Sequence, residues 1–396
     1  FFDAGIPIFS IVQKMVDGIN SFSYLALPLF VLSGAIMVYG ATPRLMRFAN
    51  MLLGRLPGGI GAAGCLGCGF FGAISGSGVA TTASIGAIVG PEMVRQGYDK
   101  GFVASLLAAS GTLGLVIPPS VCMVVYSQNA SCSIGDMFLA GFIPGILAEL
   151  LLAVLSIVVA KRRKYQQVDV GVTNAREAIS ITLDAFLPLL MPVIILGGIY
   201  SGLFTPTEAA AIAVFYGIIV SAFVYRNMGM KDFLHVLSAS ASSTASILFL
   251  VANAHIFSYL LSSEQIPQKL AILMTSLTTN PTIIMFLIMI VLLIAGCFLD
   301  NAVAVILLAP IFVNVVQAMN IDICYFGVFL VFVLAIGQVT PPVGLCLFVA
   351  CDIGKVSIEK VSREVLPYVG GLIVTAILLV LFPQIVTWLP SLTKMA

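Results

Sequence analysis

Long apolar runs, interrupted by glycine and proline more than by charge, organise this chain. Residues 22–40 predict a first membrane-crossing helix. In residues 43–56, Arg44, Arg47 and Arg55 sit among Leu and Met, a pattern that predicts an amphipathic helix lying in the membrane interface. The stretch 59–91 is apolar but broken by Gly72, Gly76, Gly78, Gly86 and Gly90. Its centre, Ser75-Gly76-Ser77-Gly78-Val79-Ala80-Thr81-Thr82, is a poor continuous helix and predicts two half-membrane helices joined at a polar tip. Residues 101–117 predict a span that ends at Pro118-Pro119, where a regular helix cannot continue. Residues 137–160 span again and stop at Lys161-Arg162-Arg163-Lys164, a basic run that belongs on the cytoplasmic side. Spans at 184–203, 206–225 and 240–262 follow. The stretch 270–320 then carries Gly296-Cys297-Phe298-Leu299-Asp300-Asn301 in its middle. Gly337-Gln338-Val339-Thr340-Pro341-Pro342-Val343-Gly344 precedes a last span at 367–390.

An internal repeat underlies the pattern. Gly114 and Pro118-Pro119 align with Gly337 and Pro341-Pro342 at 337 − 114 = 223, and Pro144 with Pro367 at 367 − 144 = 223. Each copy has a broken apolar stretch upstream. The first ends in the basic cluster, whereas the second ends near Trp388 with only Lys394 beyond. That asymmetry predicts copies of opposite orientation, and paired interrupted helices point to a transporter's binding site.

Of the 396 residues, 60% are hydrophobic and 9% charged, too few charges to cover a soluble surface. The fold class is therefore an all-α polytopic membrane protein, with room for about a dozen crossings. The runs are continuous, which excludes the alternating strands of a membrane barrel. A net charge of +1 excludes nucleic-acid binding through a basic face. Most of the eight cysteines lie inside apolar runs; Cys65 and Cys68 have a CxxC spacing without a second pair and read as packing residues. The chain starts at Phe1 without a methionine or signal peptide, which predicts a missing N-terminal piece.

Half-helix N-termini suit an anionic solute, and unwound carbonyls with Ser/Thr hydroxyls suit Na⁺. Ser75, Ser77, Thr81 and Thr82 crowd one tip. Asp300 is the one acid deep in a long apolar run; it is either linked to an ion or a buried acid capping a half-helix. The Ser75–Thr82 tip is either a site or small-residue packing. Glu149 reads as structural, Glu208 as a first-turn helix acid, His235 as part of a surface helix, and His255 and Asn253 as core residues. No Gly-x-Gly-Asp, His-Glu-x-x-His or Walker loop supports an enzyme or an ATPase, and no selectivity filter a channel.

The stretch Ser75-Gly76-Ser77-Gly78-Val79-Ala80-Thr81-Thr82-Ala83-Ser84-Ile85-Gly86 resembles the first-hairpin motif of the large membrane subunit of tripartite ATP-independent periplasmic (TRAP) transporters. Val116–Ser120, Ala140–Gly145, Ser201–Glu208 and Val339–Gly344 match its other hallmarks, from about residue 20 to the C-terminus. The resemblance implies an elevator-type transporter of the ion-transporter superfamily, with inverted repeats and two re-entrant hairpins in the bacterial inner membrane. It implies Na⁺-coupled import of an organic acid such as a sialic acid, sugar acid or C4-dicarboxylate, with two or more Na⁺ and no organic cofactor. Its partners would be a periplasmic solute-binding (P-type) protein and a small four-helix (Q-type) membrane subunit, for which this chain has no four-helix region. The resemblance puts a first sodium site on Ser75, Gly76 and Ser77 with Gly111, Gly114 and Pro118. It puts a second on Asp300 and Asn301 with Gly337, Thr340 and Pro341. Solute contacts fall on Ser77, Gly78, Thr81, Thr82, Asn301 and Thr340. Two departures stand out: many relatives, sialic-acid types among them, carry an acid in place of Thr81, and the family's first transmembrane helix is absent.

The resulting organisation is a scaffold span with an interfacial arm helix (1–58), a first transport repeat (59–160), scaffold spans (161–269), a second transport repeat (270–366) and a C-terminal span (367–396). The alternative is a stand-alone Na⁺/dicarboxylate symporter of the same hairpin architecture. With no Arg inside the broken helices, a carboxylate must be held by backbone or hydroxyl groups.

Overall fold

A chain this apolar satisfies its backbone by folding into helices, and in the computed structural model every regular element among the described residues, 8–165 and 174–394, is helical. The expectation about the start at Phe1, residues 1–7 of the first unit, 166–173 of the third and 395–396 of the last fall outside those residues. The first half runs α1 (Ile8–Ile19), α2 (Ala26–Leu53), α3 (Gly59–Ser75), α4 (Gly78–Arg95), α5 (Lys100–Gly111), α6 (Leu113–Val116), α7 (Val121–Ala130) and α8 (Ile134–Arg162). The middle comprises α9 (Ala175–Tyr200), α10 (Pro206–Ile218), α11 (Met230–Ser263) and α12 (Ile266–Leu277). The second half runs α13 (Pro281–Gly296), α14 (Asn301–Ala318), α15 (Ile323–Gly337), α16 (Leu345–Gly354), α17 (Ile358–Glu364), α18 (Leu366–Leu381) and α19 (Gln384–Lys394).

The repeat read from the prolines recurs helix by helix. α14 begins and ends 223 residues after α4 (301 − 78 and 318 − 95), and α15 begins 223 after α5 (323 − 100). α3 and α4 form a hairpin turning at Gly76–Ser77, and α13 and α14 one turning at Cys297–Asp300. The chain is then interrupted in each half, by Ile117–Ser120 between α6 and α7 and by Gln338–Gly344 between α15 and α16. The interrupted helices form the centre of the fold: α5 beyond Lys100 and α15 from Tyr325 are wholly buried.

The two hairpins open toward opposite ends of α8, a helix about 43 Å long. Gly58, just before α3, lies against Ala160, and the Asp99 N–H, just after α4, donates to the Tyr165 hydroxyl (3.2 Å). Both ends of the first hairpin therefore lie by the basic end of α8. Gln317 and Asp322, at the end of the second hairpin, share a cleft with Ser133 and Asp136 at the start of α8.

Several expected boundaries differ. No separate interfacial helix forms at 43–56, because α2 continues through Pro43. The Arg44 guanidinium donates to Gly40 O (2.7 Å) and stacks 3.5 Å over the Tyr225 ring. Leu45, Met46 and Ala49 are buried, with Met46 packed on Gly67 of α3, so this apolar face lies against protein. The boundary placed at 269/270 falls inside α12, which begins after Gln265 adopts a left-handed φ of +54°. The last span is two helices parted at Phe382–Pro383. Among the described residues, six helices are long and apolar enough to cross a membrane, or up to eight if each bent pair is one span. That is fewer than a dozen, because four further apolar helices have only 10–17 residues.

Near the basic end of α8, Lys360 of α17 pairs with Asp99 (2.6 Å) and Arg163 with Glu364. Burial alone would raise the Asp99 carboxyl, but the bond to Lys360 and the N–H groups of Phe102 and Gly101 outweigh it and hold Asp99 below its usual range. A depressed carboxylate stabilises above its unfolded value and loses that contribution as pH falls through the folded one. Acidification below about pH 4 is expected to lower the melting temperature of the purified protein by about a degree or two, since a half-exposed pair is worth about 1 kcal/mol or less. Asp99→Asn should remove that step, which thermal scans across pH would measure.

Candidate functional site

The first tip is built by hydroxyl groups folding back on the turn. Ser77 caps α4, its Oγ accepting from Ala80 N (3.4 Å). Thr81 Oγ1 donates to Ser77 O (2.7 Å) and lies 2.9 Å from Ser75 Oγ. Gly76 takes φ +63°, and a Cβ there would meet Pro119 O at 2.6 Å, so glycine is required by both conformation and space. Val121 N donates to Gly76 O (3.3 Å), tying the tip to the interruption before α7.

The second tip has the corresponding tie: Gln338 Nε2 donates to Leu299 O (3.2 Å). Asp300 caps α14, Oδ1 accepting from Ala302 N (2.9 Å). Asn301 is 1% exposed, yet neither its amide oxygen nor its nitrogen has a partner. Leaving such groups unpaired costs about 1–3 kcal/mol each, a pattern that suits a bound group completing the site. Gly337 lies directly against Gly296, and Gly72 of the first hairpin against Gly114.

Both tips face one cavity of about 440 Å³. Of the residues expected at the site, Ser75, Gly76, Ser77 and Asp300 line it. Three helix N-termini open there, those of α4, α7 and α14, marked by Ser77, Val121 and Asp300. The other expected residues are not on its wall. Thr82 packs on Gly111 and Thr81 on Gly114, while Pro118 is buried in the adjoining interruption. Gly78 lies near Cys346 and Leu115. Thr340 Oγ1 donates to Ile336 O (2.8 Å), Pro341 is half-buried, and Asn301 and Gly337 lie behind the second tip. Thr81 and Thr82 are expected as solute contacts; in α4 they lie against Gly114 of α6 and against Gly111, the last residue of α5.

A second part of the wall lies outside the expected site. It comes from Gly34 and Tyr39 of α2 and from Ser240, Ser243 and Ile247 of α11. Its sequence signal is the run Ser238-Ala239-Ser240-Ala241-Ser242-Ser243-Thr244-Ala245-Ser246, small and polar inside an apolar span. Gly34 admits the first tip: a Cβ there would lie 2.8 Å from Ser75 Cα.

None of the remaining candidates lines that cavity. Glu208 completes a capping box with Thr205. Glu149 is buried against Gly69 of α3. His255 and Asn253 are not the core residues expected: His255 is half-buried against Gly18 of α1 with its Nε2 unpartnered, and Asn253 is exposed and donates to Phe249 O (2.7 Å), while His235 lies on the first turns of α11. Cys65 and Cys68 are fully buried packing residues.

Comparison with known proteins fits this arrangement. The sequence model of the "Tripartite ATP-independent periplasmic transporter, DctM component" family matches residues 1–385. The chain is 40% identical over 383 residues to the C4-dicarboxylate TRAP transporter large permease protein DctM of Pseudomonas aeruginosa, covering 96% of this chain and 89% of that one. It is 36% identical to the sialic acid TRAP transporter large permease protein SiaM of Vibrio cholerae, covering 96% and 89%. With the isethionate TRAP transporter permease protein DctMQ of Oleidesulfovibrio alaskensis it shares 39% identity, covering 96% of this chain but 60% of that longer protein. Among solved structures, the YdaH transporter of Alcanivorax borkumensis superposes with a TM-score of 0.66 over 93% of this chain and 87% of that one, at 14% identity, a likeness of fold. The chain therefore belongs to the DctM family of tripartite ATP-independent periplasmic transporters, as a multi-pass permease of the bacterial inner membrane.

Proposed function

We propose that the chain is a Na⁺-coupled, elevator-type permease subunit importing a small organic anion, with a C4-dicarboxylate as the favoured solute class. The observation that carries this reading is the meeting of two hairpin tips, one rich in hydroxyls and one bearing Asp300, at a single cavity. Three helix N-termini direct partial positive charge into it, suited to a carboxylate where no arginine is available. The first tip offers Ser75 and Ser77 oxygens for one Na⁺, and Asp300 with the unpartnered Asn301 amide offers a second site. The recurrence of helices at 223 residues and the opposed openings of the hairpins support an inverted repeat in which the hairpin units move against a frame of α2 and α9–α12.

Coupling follows if ions and solute together favour the crossing state, since ligands shift an equilibrium only through differential affinity. Relatives named for C4-dicarboxylate transport favour that class. The length of the isethionate relative beyond the shared region supports a small four-helix partner subunit, with a periplasmic binding protein delivering the solute.

Radiolabelled organic acids offered to proteoliposomes test this. Uptake is expected to require the chain, its small subunit, the binding protein and an inward Na⁺ gradient together. Uptake by the chain alone would replace the reading with a stand-alone symporter, and indifference to Na⁺ would overturn both ion sites.

A further inference from the structure

Helix α11 carries two buried hydroxyls that the helix itself does not use, one of them, Ser240, on the wall of the cavity. A serine or threonine inside a helix ordinarily donates to the carbonyl one turn back. Ser246 in the same helix does so, its Oγ donating to Ser242 O (3.0 Å). Ser240 and Thr244 do not. Each is 5% exposed, and neither Ser240 Oγ nor Thr244 Oγ1 has a hydrogen-bond partner. They lie one turn apart on one face of α11; Ser240, with Ser243 and Ile247, lines the cavity that Ser75, Ser77 and Asp300 also line, and Thr244 is not on its wall. Burying a hydroxyl without a partner is costly, and alanine at these positions would have packed without that cost.

We propose that Ser240, supported by Thr244 one turn on, is a specificity-determining contact for the solute, donating a hydrogen bond from the fixed frame to an oxygen of the bound organic anion. This rests on the transport reading above and deepens it. The hairpin tips and Asp300 hold the ions and one end of the solute. The Ser240 hydroxyl reads the far end, where solutes differ in length and oxygen placement. A site built to bond an oxygen rejects analogues that lack it, because its own groups are then left unpaired.

The test compares variants in the complete system of permease, small subunit and binding protein, using radiolabelled succinate with a panel of unlabelled organic acids as competitors. Ser240→Ala is expected to raise KM for the solute about tenfold and to flatten the ranking of competitors. The Na⁺ concentration for half-maximal uptake should stay unchanged. Ser240→Thr, which keeps the hydroxyl, should restore most of the affinity. Ser246→Ala, whose hydroxyl is already bonded within the helix, should behave as wild type. A solute KM within twofold of wild type in Ser240→Ala, or a shifted Na⁺ requirement instead, would overturn the assignment. Wild-type uptake without Na⁺ would overturn the ion reading alone, since solute KM is still measured. Failure of wild type to take up any organic acid would overturn both.

Discussion

Asp300→Asn is expected to lower Na⁺-driven solute uptake by about two to three orders of magnitude while leaving the protein folded. The side chain has two tasks that this substitution separates. As a cap, Asp300 accepts from Ala302 N (2.9 Å) at the start of α14. Asparagine caps helices about as well, so stability should change by only about 0.5 kcal/mol or less. As a charge, it is the one acid on the wall of the cavity between the hairpin tips. Two unit charges about 4 Å apart interact by about 4 kcal/mol at an effective dielectric of about 20, which sets the expected loss. If Asp300 only caps the half-helix, the asparagine variant will transport like wild type. Uptake at saturating Na⁺, read beside a thermal scan, decides between the two.

The second large effect concerns backbone contact. Gly337→Ala is expected to abolish uptake and to destabilise the purified protein by about 3 kcal/mol or more. A Cβ at Gly337 would lie 2.5 Å from Gly296 O and closer still to the Gly296 backbone carbons. No side chain can rotate away. The end of α15 and the end of α13 would have to separate, and α15 is buried on every side from Tyr325 onward. Separation would also strain the bond from Gln338 to Leu299 that holds the second tip. Gly370→Ala is the control, because nothing lies within 4 Å of the added carbon. Yield, melting temperature and uptake of the two alanine variants should therefore diverge. Equal behaviour would remove the close approach as a requirement of the fold.

Much of this architecture was readable before any coordinates. Prolines at 118–119 and 341–342 interrupt helices because they lack N–H groups, and their spacing is the spacing of the whole repeat. Glycine and serine between residues 75 and 78 mark the first tip, because a left-handed turn packed on Pro119 O tolerates only glycine at position 76. What escaped depended on partners distant in sequence. Pro43 suggests a helix end, but Arg44 is held by the Tyr225 ring and Leu45 and Met46 by α3, so α2 runs on. Thr81 and Thr82 share a motif with Ser75 and Ser77, yet in α4 they lie against Gly114 and Gly111. The serines of α11 were legible as small polar residues in a span, but only its packing decides that Ser240 and Ser243 meet the cavity.

The most direct test of the central claim is simultaneous measurement of radioactive sodium and radiolabelled succinate entering the same proteoliposomes, with permease, small subunit and binding protein present. The account predicts that sodium enters only with solute, at two or more ions per molecule, and that Asp300→Asn removes both fluxes. Solute accumulation without accompanying sodium, or sodium entry indifferent to solute, would contradict it.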